Sequence, residues 1–469
     1  MLLSSSVYFV FLGAVFFLYW PLARVRAASL AVLLFANYFF YAKWDLFYLF
    51  LIPAASTADY FIALGLGRAQ EQRRRRLLVA LSVVLNLGIL ASFKYMPFLL
   101  ENYTRLTGLA APAWHWTFPL GISFYTFQSL TYTIDVYRRD AKVVPSYLTH
   151  LTAVSFFCTT LAGPITRVAQ LAPQLERKEK TLDAAASGRA LFLIGLGLIK
   201  KLMIADYLAE NLVNRVFDLP RLYTATETLI GVYGYALQLY YDFSGYTDIA
   251  LGSALLLGLK LPANFNRPYA AESVPDFWRR WHISLSNWLR DYLYFSLPGL
   301  RSKWKVFPYA NLVITMLLGG LWHGASWNFA VWGLLHGVAL ALTRLWQTMR
   351  GNPKPRAAWR ARAARVFFTV QFVCFAWIFF RAPEFSGAME ILSRIGSLSV
   401  SFDNVSAPFA LVMAIGILAH YVPPRVYDFS LRLYLRAPFY AQAAALALLV
   451  IGLQYIAATG AAPFIYTRF

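Results

Sequence analysis

The sequence predicts an all-α polytopic membrane protein. Three observations predict this fold class: the scarcity of charge, the placement of that charge, and the recurrence of apolar segments of spanning length. Charged residues make up only 14% of the 469 residues, and hydrophobic residues make up 59%. A soluble domain carries about 25% charged residues. So much apolar surface requires lipid to cover it, and membrane lipid is therefore the first expected partner.

The formal net charge of +21 is concentrated in short clusters between apolar segments. Examples are the four arginines at 73–76, the pair Arg279 and Arg280, and the stretches 301–305 and 354–365. Basic loops of this kind are what the positive-inside rule predicts for the cytoplasmic side of a membrane. The charge therefore indicates topology, and nucleic acid is not an expected partner.

Apolar segments follow one another along the whole chain. We predict about 10–12 crossings plus one or two re-entrant segments, since a spanning helix needs about 20 residues, in a single integral-membrane domain, 1–469. Two segments, 307–321 and 366–381, are short enough to be tilted or half-length helices, and 225–260 is too long and too interrupted by glycine for one straight helix. The candidate spans are 5–22, 28–43, 46–66, 77–100, 118–137, 147–165, 188–209, 225–260, 307–321, 326–347, 366–381, 407–422 and 438–459.

The basic clusters set the predicted orientation. Arg68 with the arginines at 73–76, the group at 138–142 and the loop 350–365 should be cytoplasmic. Counting helices from these loops places the N-terminus and the tail 461–469 on the extracytoplasmic side.

Several familiar features are missing from the sequence. Cys158 and Cys374 each lie in an apolar run without a CxxC partner, so we expect neither a disulfide framework nor a thiol metal site. No HExxH, Walker A, GxSxG or paired-histidine spacing occurs, so no bound metal is predicted. The apolar stretch 7–20 lacks a basic region and a cleavage site, and we expect a retained first helix rather than a signal peptide.

The first polar stretch inside apolar sequence is 240–248, YYDFSGYTD. A carboxylate at the centre of a bilayer costs about 2.5–3.5 kcal/mol on insertion scales. Asp242 and Asp248 therefore indicate a water-filled cavity, a cationic partner or a functional role. The structural alternative is a network in which one of them pairs with an arginine such as Arg267 or Arg279.

The second polar stretch comprises 264–269 and 276–292. Trp278, Trp281, Asn287, Trp288 and Arg290 predict a helix of amphipathic side chains of the kind found at a membrane interface. Its basic face, which includes Arg279 and Arg280, suits an anionic donor such as a phosphate-bearing cofactor. A plain interfacial helix anchored to anionic lipid is the alternative.

The third polar stretch, GGLWHGASWN at 319–328, joins two apolar segments and carries His323. A histidine at membrane depth is a functional candidate because its charged form is costly there. A neutral imidazole with a pKa near 6.5 suits general-base catalysis near pH 7. Flanking glycines allow close approach of a substrate.

These motifs resemble the membrane-bound O-acyltransferase (MBOAT) family, and more narrowly its bacterial branch of alginate O-acetyltransferases and teichoic-acid D-alanyltransferases. The resemblance covers nearly the whole chain. The stretches that carry it are FWRRWHISLS (277–286), WLRDY (288–292), GGLWHG (319–324), YDFSGY (241–246), FNRPY (265–269) and GISF (121–124).

The resemblance implies a helical ring around a central funnel, in the bacterial inner membrane, with a donor thioester entering from the cytoplasm and an acceptor from outside. It places the catalytic histidine on His323, as general base, and a second polar position on His282, which would position or polarise the thioester carbonyl. Acetyl-CoA is the expected donor, with no bound cofactor. The candidate donor-binding residues are Trp278, Arg279, Arg280, Asn287 and Arg290. The turn LPGLR at 297–301 departs from the family pattern and leaves the donor less defined.

The tail PFIYTRF at 463–469 resembles the Phe-Ile-Tyr-x-x-Phe ending of this branch. The resemblance suggests that Tyr466 accepts the acyl group and passes it to an extracytoplasmic acetyltransferase of the SGNH type or to a polysaccharide. A tyrosine hydroxyl with a pKa near 10 needs a base to remove its proton. An interfacial aromatic anchor is the alternative role for Tyr466.

The predicted activity is O-acetylation of an extracytoplasmic polysaccharide. One alternative retains the fold and takes D-alanine from an acyl-carrier protein for teichoic acid or a similar polymer. The other is a transporter without chemistry, which would show repeat symmetry and matched broken helices in two halves. The sequence shows no such repeat.

Overall fold

The computed structural model describes residues 2–43, 47–114, 116, 119–177, 180–299, 306–351 and 358–456. Across these residues the secondary structure is helical, with no strand, which confirms the predicted all-α class. Three π-helical turns, Ala91–Tyr95, Ile199–Ala205 and Ala209–Val213, join consecutive helices, and a fourth, Leu289–Leu293, follows the helix Ile283–Trp288. The α-helices are α1 (Ser6–Leu22), α2 (Arg26–Ala42), α3 (Leu51–Arg68), α4 (Gln72–Leu90), α5 (Met96–Thr107), α6 (Ile122–Arg138), α7 (Tyr147–Ser155), α8 (Phe157–Thr160), α9 (Val168–Leu175), α10 (Ala184–Leu198), α11 (Asp206–Leu208), α12 (Asn214–Asp218), α13 (Ala225–Leu256), α14 (Val274–Trp278), α15 (Ile283–Trp288), α16 (Phe307–His323), α17 (Trp327–Met349), α18 (Trp359–Arg381), α19 (Phe385–Gly396), α20 (Ala407–Tyr421), α21 (Pro424–Arg436) and α22 (Phe439–Ile456).

Three helices in the described part of the chain are long and apolar enough to cross a membrane: Gln72–Thr107, α17 and α18. α20 and α21 meet the same criteria as a pair, with a bend of 94° between them. Shorter apolar helices are Ser6–Leu22, Arg26–Ala42 and Phe439–Leu453. The number of crossings therefore stays a prediction.

The chain forms two compact units. The first comprises Met1–Ile194 and Tyr246–Pro262, and the second comprises Gly195–Gly245 and Ala263–Phe469. Both regions that carry the predicted histidines belong to the second unit.

The first unit is organised around α6, which is almost completely buried and packs against α3 and α4. The carboxylate of Asp59 in α3 accepts hydrogen bonds from Ser82 and Asn86 of α4 and from Ser129 of α6, at 2.5–2.8 Å. A buried carboxylate is tolerated when its lone pairs are satisfied in this way. These bonds hold three helices together at one point.

Arg75 is the buried member of the arginine cluster at 73–76, and its three neighbours are exposed. Its guanidinium donates to the carbonyl oxygen of Leu66 at 2.5 Å, and to those of Val136 and Tyr137 at 3.0 and 2.7 Å. The last carbonyls of a helix have no partner within the helix. Arg75 therefore caps the C-terminal ends of α3 and α6, a structural role that the positive-inside pattern did not indicate.

The predicted span 147–165 is wrong as a single helix, because the chain breaks at Phe156 between α7 and α8. The side chain of Asn37 in α2 takes part in this break. Its Oδ1 accepts a hydrogen bond from the N–H of Phe157 at 3.0 Å, and its Nδ2 donates to the Thr152 carbonyl at 3.3 Å. These bonds satisfy backbone groups that the helix no longer pairs.

In the second unit, α16 and α17 pack with direct backbone contact. A Cβ atom on Gly320 would collide with the carbonyl oxygen of Phe329, and one on Gly333 would collide with that of Met316. Only glycine permits such an approach. The glycines beside His323 therefore fit the two helices together at the turn that carries this residue.

Asp242 is buried and pairs with a cation, but not with either predicted arginine. Lys201, in the π-helical turn before α11, lies 3.0 Å from Asp242 and 2.7 Å from Asp206. Arg279 instead lies 3.5 Å from Asp276. The predicted structural network exists, and its cation is a lysine. Asp248 belongs to the other unit and is half-buried.

The long segment 225–260 contains one uninterrupted α-helix, α13, of 32 residues. Its glycines lie where neighbouring atoms approach closely, rather than at a break. A Cβ atom on Gly245 would lie 2.7 Å from the carbonyl oxygen of Gly197.

Candidate active site

The polar segment between α13 and α16 turns sharply at His282. Residues 264–266 lie beside 280–283, because the N–H of Asn266 donates to the carbonyl of Arg280 and the N–H of Ile283 donates to that of Asn264, both at 2.9 Å. His282 has a left-handed backbone, with φ of 40°, and α15 begins directly after it. The prediction of one amphipathic helix over this segment was therefore wrong, since the chain forms α14, a turn and α15.

The His282 ring is completely buried. Its Nδ1 lies 3.1 Å from Oδ1 of Asn264, and the ring stands edge-on to Phe243 with centroids 4.7 Å apart. Burial lowers the pKa of His282 to about 3, because the charged ring would lose its hydration. The imidazole is therefore neutral at pH 7.

His323 is the last residue of α16 and is 4% exposed. Aromatic rings surround it, with centroids 5.0 Å away for Trp322, 5.1 Å for Trp332 and 5.2 Å for Phe380. These rings come from α16, α17 and α18, so the packing of three helices positions the imidazole. The membrane depth and the catalytic role predicted for His323 stay predictions.

His282 and His323 both lie next to the indole ring of Trp322. The ring of Trp322 lies 5.0 Å from that of His323 and 6.3 Å from that of His282. Trp281, next to His282, is fully buried, with its ring 5.1 Å from that of Trp377 in α18. The two histidines therefore belong to one continuous aromatic cluster.

Trp278 lies in this cluster and not at the surface. Its indole N–H donates to Nδ1 of His336 at 3.3 Å, and its ring lies 5.8 Å from that of Trp332. This bond joins α14 to α17, which carries His336. Trp281 and Trp288, expected in an interfacial belt, are also buried.

The predicted basic residues lie at the surface of the same segment and have acidic neighbours. Arg280 lies 3.0 Å from Asp276, and Arg290 makes two contacts with Asp291, at 2.7 and 3.2 Å. Arg279 and Arg290 are exposed, while Arg280 and Asn287 are half-buried. Tyr466 lies outside the described residues.

Two polar residues that the sequence did not single out lie in this unit. Asn264 contacts His282 from 18 positions earlier, a pairing for which sequence spacing offers no signal. His420 in α20 accepts a hydrogen bond from the N–H of Tyr269 at 3.1 Å, and its ring lies 4.7 Å from that of Tyr240. An isolated histidine in an apolar helix resembles any packing residue until its partner is known.

Comparison with known proteins places this site in a family context. The sequence model of the MBOAT, membrane-bound O-acyltransferase, family matches residues 37–382, which include His282 and His323. The probable alginate O-acetylase AlgI of Azotobacter vinelandii is 39% identical over 90% of this chain and 84% of its own length. The peptidoglycan O-acetyltransferase of Helicobacter pylori is 35% identical over 80% of this chain and 75% of its own. The teichoic acid D-alanyltransferase of Bacillus subtilis is 30% identical over 57% and 69%.

Proposed function

The chain belongs to the membrane-bound O-acyltransferase family, and on that premise we propose that it moves an acetyl group from a cytoplasmic thioester for O-acetylation of an extracytoplasmic polysaccharide. Family membership makes it a multi-pass membrane protein and an O-acyltransferase. It confirms the family that the motifs around His282 and His323 indicated.

The observation that carries the proposal is the pair of buried imidazoles, His282 and His323, that share contact with the indole of Trp322. Acyl transfer to a hydroxyl needs a proton acceptor, and an imidazole is the side chain that most often serves. The aromatic rings packed around these imidazoles keep out water, which would otherwise hydrolyse the thioester. Both requirements meet at this cluster.

We favour acetyl over D-alanyl as the transferred group, because the O-acetylating relatives match more of this chain than the D-alanyltransferase does. The relatives that match four fifths or more of this chain are named for O-acetylation of alginate or peptidoglycan. The D-alanyltransferase matches little more than half of it. A D-alanyl donor on a carrier protein remains the second candidate, and a transporter without chemistry does not fit an O-acyltransferase family.

The proposed reaction begins with an acyl transfer from the thioester to a hydroxyl. The acceptor hydroxyl oxygen attacks the carbonyl carbon of acetyl-CoA, the C–O bond forms and the C–S bond breaks. The hydroxyl proton passes through an imidazole to the leaving thiolate, which departs as the thiol. One imidazole accepts the proton and the other orients the thioester.

Arg279 and Arg290 are the best placed of the predicted donor-binding residues, because they are the most exposed. A phosphate of the donor would compete with Asp276 and Asp291 for these guanidinium groups, and such charge-assisted bonds are strong. Trp278 contributes through packing, since His336 already accepts from its indole N–H.

The acceptor is proposed to arrive from the extracytoplasmic side of a bacterial inner membrane. Tyr466 would take the acetyl group first and pass it to an SGNH-type transferase or to the polymer. Replacing Tyr466 by Phe should remove acetyl groups from the surface polysaccharide while the protein level stays normal. Full acetylation in that strain would remove Tyr466 from the route.

Purified protein in detergent, supplied with radiolabelled acetyl-CoA and the surface polysaccharide of the source strain, tests the function. Wild type should carry label on Tyr466 or on the polymer, and His323→Ala should lower the rate of labelling per folded molecule by about 10²–10⁴-fold, the usual contribution of acid–base catalysis. His150→Gln is the matched control, because His150 is a buried histidine of the first unit that bonds to the carbonyl of Ser56. Normal labelling by His323→Ala would contradict the assignment.

A further inference from the structure

Two neighbouring cavities form one groove in the second unit, lined mostly by side chains of α18 and α20. The larger cavity, of about 470 Å³, begins at Trp359 and Arg362. The smaller, of about 210 Å³, extends to Cys374. Val370 and Tyr421 line both cavities, so the two meet at these residues and follow one side of α18.

The length of the groove matches one leaflet of a bilayer. The residues of α18 that line it run from Trp359 to Cys374, which corresponds to about 22 Å at the rise of an α-helix. The hydrocarbon core of a bilayer is about 30 Å thick, and the headgroups bring the total to about 40–45 Å. One leaflet with its headgroups therefore spans about 20–22 Å, and a single lipid molecule would fill the groove from end to end.

The wall of the groove suits a hydrocarbon chain, because its tyrosine hydroxyls bond within the protein. The hydroxyl of Tyr421 donates to the carbonyl oxygen of Tyr269 at 2.9 Å, and that of Tyr269 donates to the carbonyl oxygen of Ala236 at 2.7 Å. The hydroxyl of Tyr233 donates to Oε1 of Gln371 at 2.5 Å. A polar ligand would lose its hydration at such a wall without gaining hydrogen bonds from these hydroxyls.

The end of the groove at Trp359 is basic. Arg362 lines this end and is exposed, and its Nε lies 3.1 Å from the carboxylate of Glu272. Arg365, about one turn further along α18, lies 2.6 Å from the same carboxylate. Two guanidinium groups thus share one carboxylate, which leaves an excess of positive charge beside the groove. A guanidinium forms strong charge-assisted hydrogen bonds with a phosphate.

The position of this end in the chain places it at a membrane surface. α18 begins within the basic stretch 350–365, which is predicted to be cytoplasmic, and Trp359 is an exposed tryptophan of the kind that marks the interface of a membrane. α20 ends at Tyr421 beside the same groove, and α21 leaves it with a bend of 94°. A helix that turns so sharply at the end of a span is placed to lie along the membrane surface.

The sequence of α21 fits that position. Its exposed arginines lie at 425, 432 and 436, spacings of seven and four residues that put them along one side of the helix. Phe429 and Leu433 are exposed beside them. A basic stripe next to an apolar face is typical of a helix in the interfacial plane, where it attracts anionic lipid. The lipids around the mouth of the groove are therefore expected to be enriched in negative charge.

We propose that the groove between α18 and α20 binds one molecule of an anionic phospholipid from the cytoplasmic leaflet. One acyl chain lies along the groove past Val370 to Cys374. The phosphate lies at Arg362, where it competes with Glu272 for the guanidinium. The lipid site is independent of the proposed reaction, so its failure would leave the acetyl transfer untouched.

Native mass spectrometry of the purified full-length protein in detergent measures this binding. The probes are phosphatidylglycerol and phosphatidylcholine, both with one palmitoyl and one oleoyl chain, so that only the headgroup differs. Wild type should bind one phosphatidylglycerol at least about tenfold more tightly than phosphatidylcholine, because each basic residue near an anionic headgroup contributes roughly fivefold. Equal affinity for the two lipids would overturn the proposal.

Arg362→Gln removes the charge at the mouth and should weaken phosphatidylglycerol binding roughly fivefold without changing phosphatidylcholine binding. Arg362→Lys keeps the charge and should retain most of the affinity. Arg360→Gln is the matched control, because Arg360 is an exposed arginine of the same helix whose guanidinium lies over the ring of Trp359, 5.5 Å from its centroid. An equal loss in Arg360→Gln would show a diffuse attraction to the basic surface, which overturns the site.

Val370→Phe tests the path of the chain. The larger side chain occupies the place where the two cavities meet, so it should weaken both lipids alike, since both carry the same chains. Val84→Phe is the matched control at an exposed position of α4, and it should leave both affinities unchanged. Normal binding by Val370→Phe would overturn the proposal. Saturating acetyl-CoA should leave phosphatidylglycerol bound to wild type, and its displacement would assign the groove to the donor and overturn the lipid site.

Discussion

His282 combines complete burial with an ionisable ring, and this affects the stability of the protein as well as its chemistry. Burial lowers the pKa of His282 to about 3, whereas an unfolded histidine has a pKa of about 6.5. Between these values the unfolded state binds one more proton than the native state. Native stability therefore falls as the pH drops from about 6.5 towards 3.

This linkage predicts an acid sensitivity of which a His282 variant should remove one part. Over the pH range in question the His282 contribution is at most about 1.4 kcal/mol per pH unit. Thermal unfolding in detergent should show wild type losing more stability between pH 7 and pH 5 than His282→Gln does. Equal losses in the two proteins would mean that the native ring accepts a proton without penalty.

Lys201, Asp206 and Asp242 form a group with one cation and two carboxylates, in which Lys201 and Asp242 are buried and Asp206 is half-buried. Removing the cation leaves two neighbouring carboxylates without this lysine, and breaking a buried ion pair by removing one partner costs about 3–5 kcal/mol. Lys201→Met should therefore destabilise the protein strongly. Asp242→Asn should cost less, because the Lys201–Asp206 pair remains.

The double variant separates charge from packing in this group. Adding Asp242→Asn to Lys201→Met removes one of the two neighbouring negative charges and should recover part of the lost melting temperature. If Asp242→Asn alone lowers the melting temperature as much as Lys201→Met does, Lys201 does not stabilise the protein by neutralising these two carboxylates.

The same group shows what sequence can predict at the level of residues. An aspartate within apolar sequence requires a cation or water, and Asp242 was singled out on that ground. The identity of the cation was not predictable, because Lys201 lies 41 positions earlier and is presented by a π-helical turn that shifts the helical register. The same limit applies to Asn264 and His282, which meet across a chain reversal.

At the scale of elements, the contact of α16 with α17 determines where His323 lies. A Cβ atom on Gly333 would collide with the carbonyl of Met316 and crowd the backbone of Leu317. Because backbone cannot rotate aside as a side chain can, Gly333→Ala should force the helices apart. We expect a lower melting temperature and a loss of transfer activity, since α16 ends at His323.

Gly88→Ala is the matched control for this prediction. Gly88 lies within α4 on the exposed side, and a Cβ atom there would meet nothing within 4 Å. Alanine favours a helix over glycine by about 1 kcal/mol, so this variant should be as stable as wild type or slightly more so. Normal activity in Gly333→Ala would show that the tight contact is unrelated to the site.

Helix existence was more predictable than helix continuity. The chain is helical in most of the apolar segments, but hydropathy could not show the break at Phe156, and amphipathic patterning could not show the one at His282. Each break depends on an asparagine from elsewhere in the chain, Asn37 or Asn264, that satisfies groups at the turn. The reverse holds in α13, where glycines that suggested interruption serve close packing instead.

At the scale of the whole molecule, charge placement predicts which end of each helix faces the cytoplasm, and the proposed reaction depends on this orientation. A donor thioester is made in the cytoplasm, and the acceptor polymer lies outside. The arginines at 73–76 belong to the predicted cytoplasmic side, whereas the segment between α19 and α20 belongs to the opposite side. Arg75 contributes less to the positive charge of the cytoplasmic surface than its neighbours do, because its guanidinium is buried and donates to carbonyl oxygens at the ends of α3 and α6.

Cysteine accessibility tests this orientation. Cys158 and Cys374 are both buried, so replacing each by Ser creates a background without thiols. Gln70 and Asp403 are exposed sites on the two predicted faces. In intact cells a small membrane-impermeant maleimide should label Asp403→Cys and spare Gln70→Cys, and after lysis it should label both. Labelling of Gln70→Cys alone in intact cells would show that the predicted topology is inverted. The basic loops would then face away from the compartment that supplies acetyl-CoA.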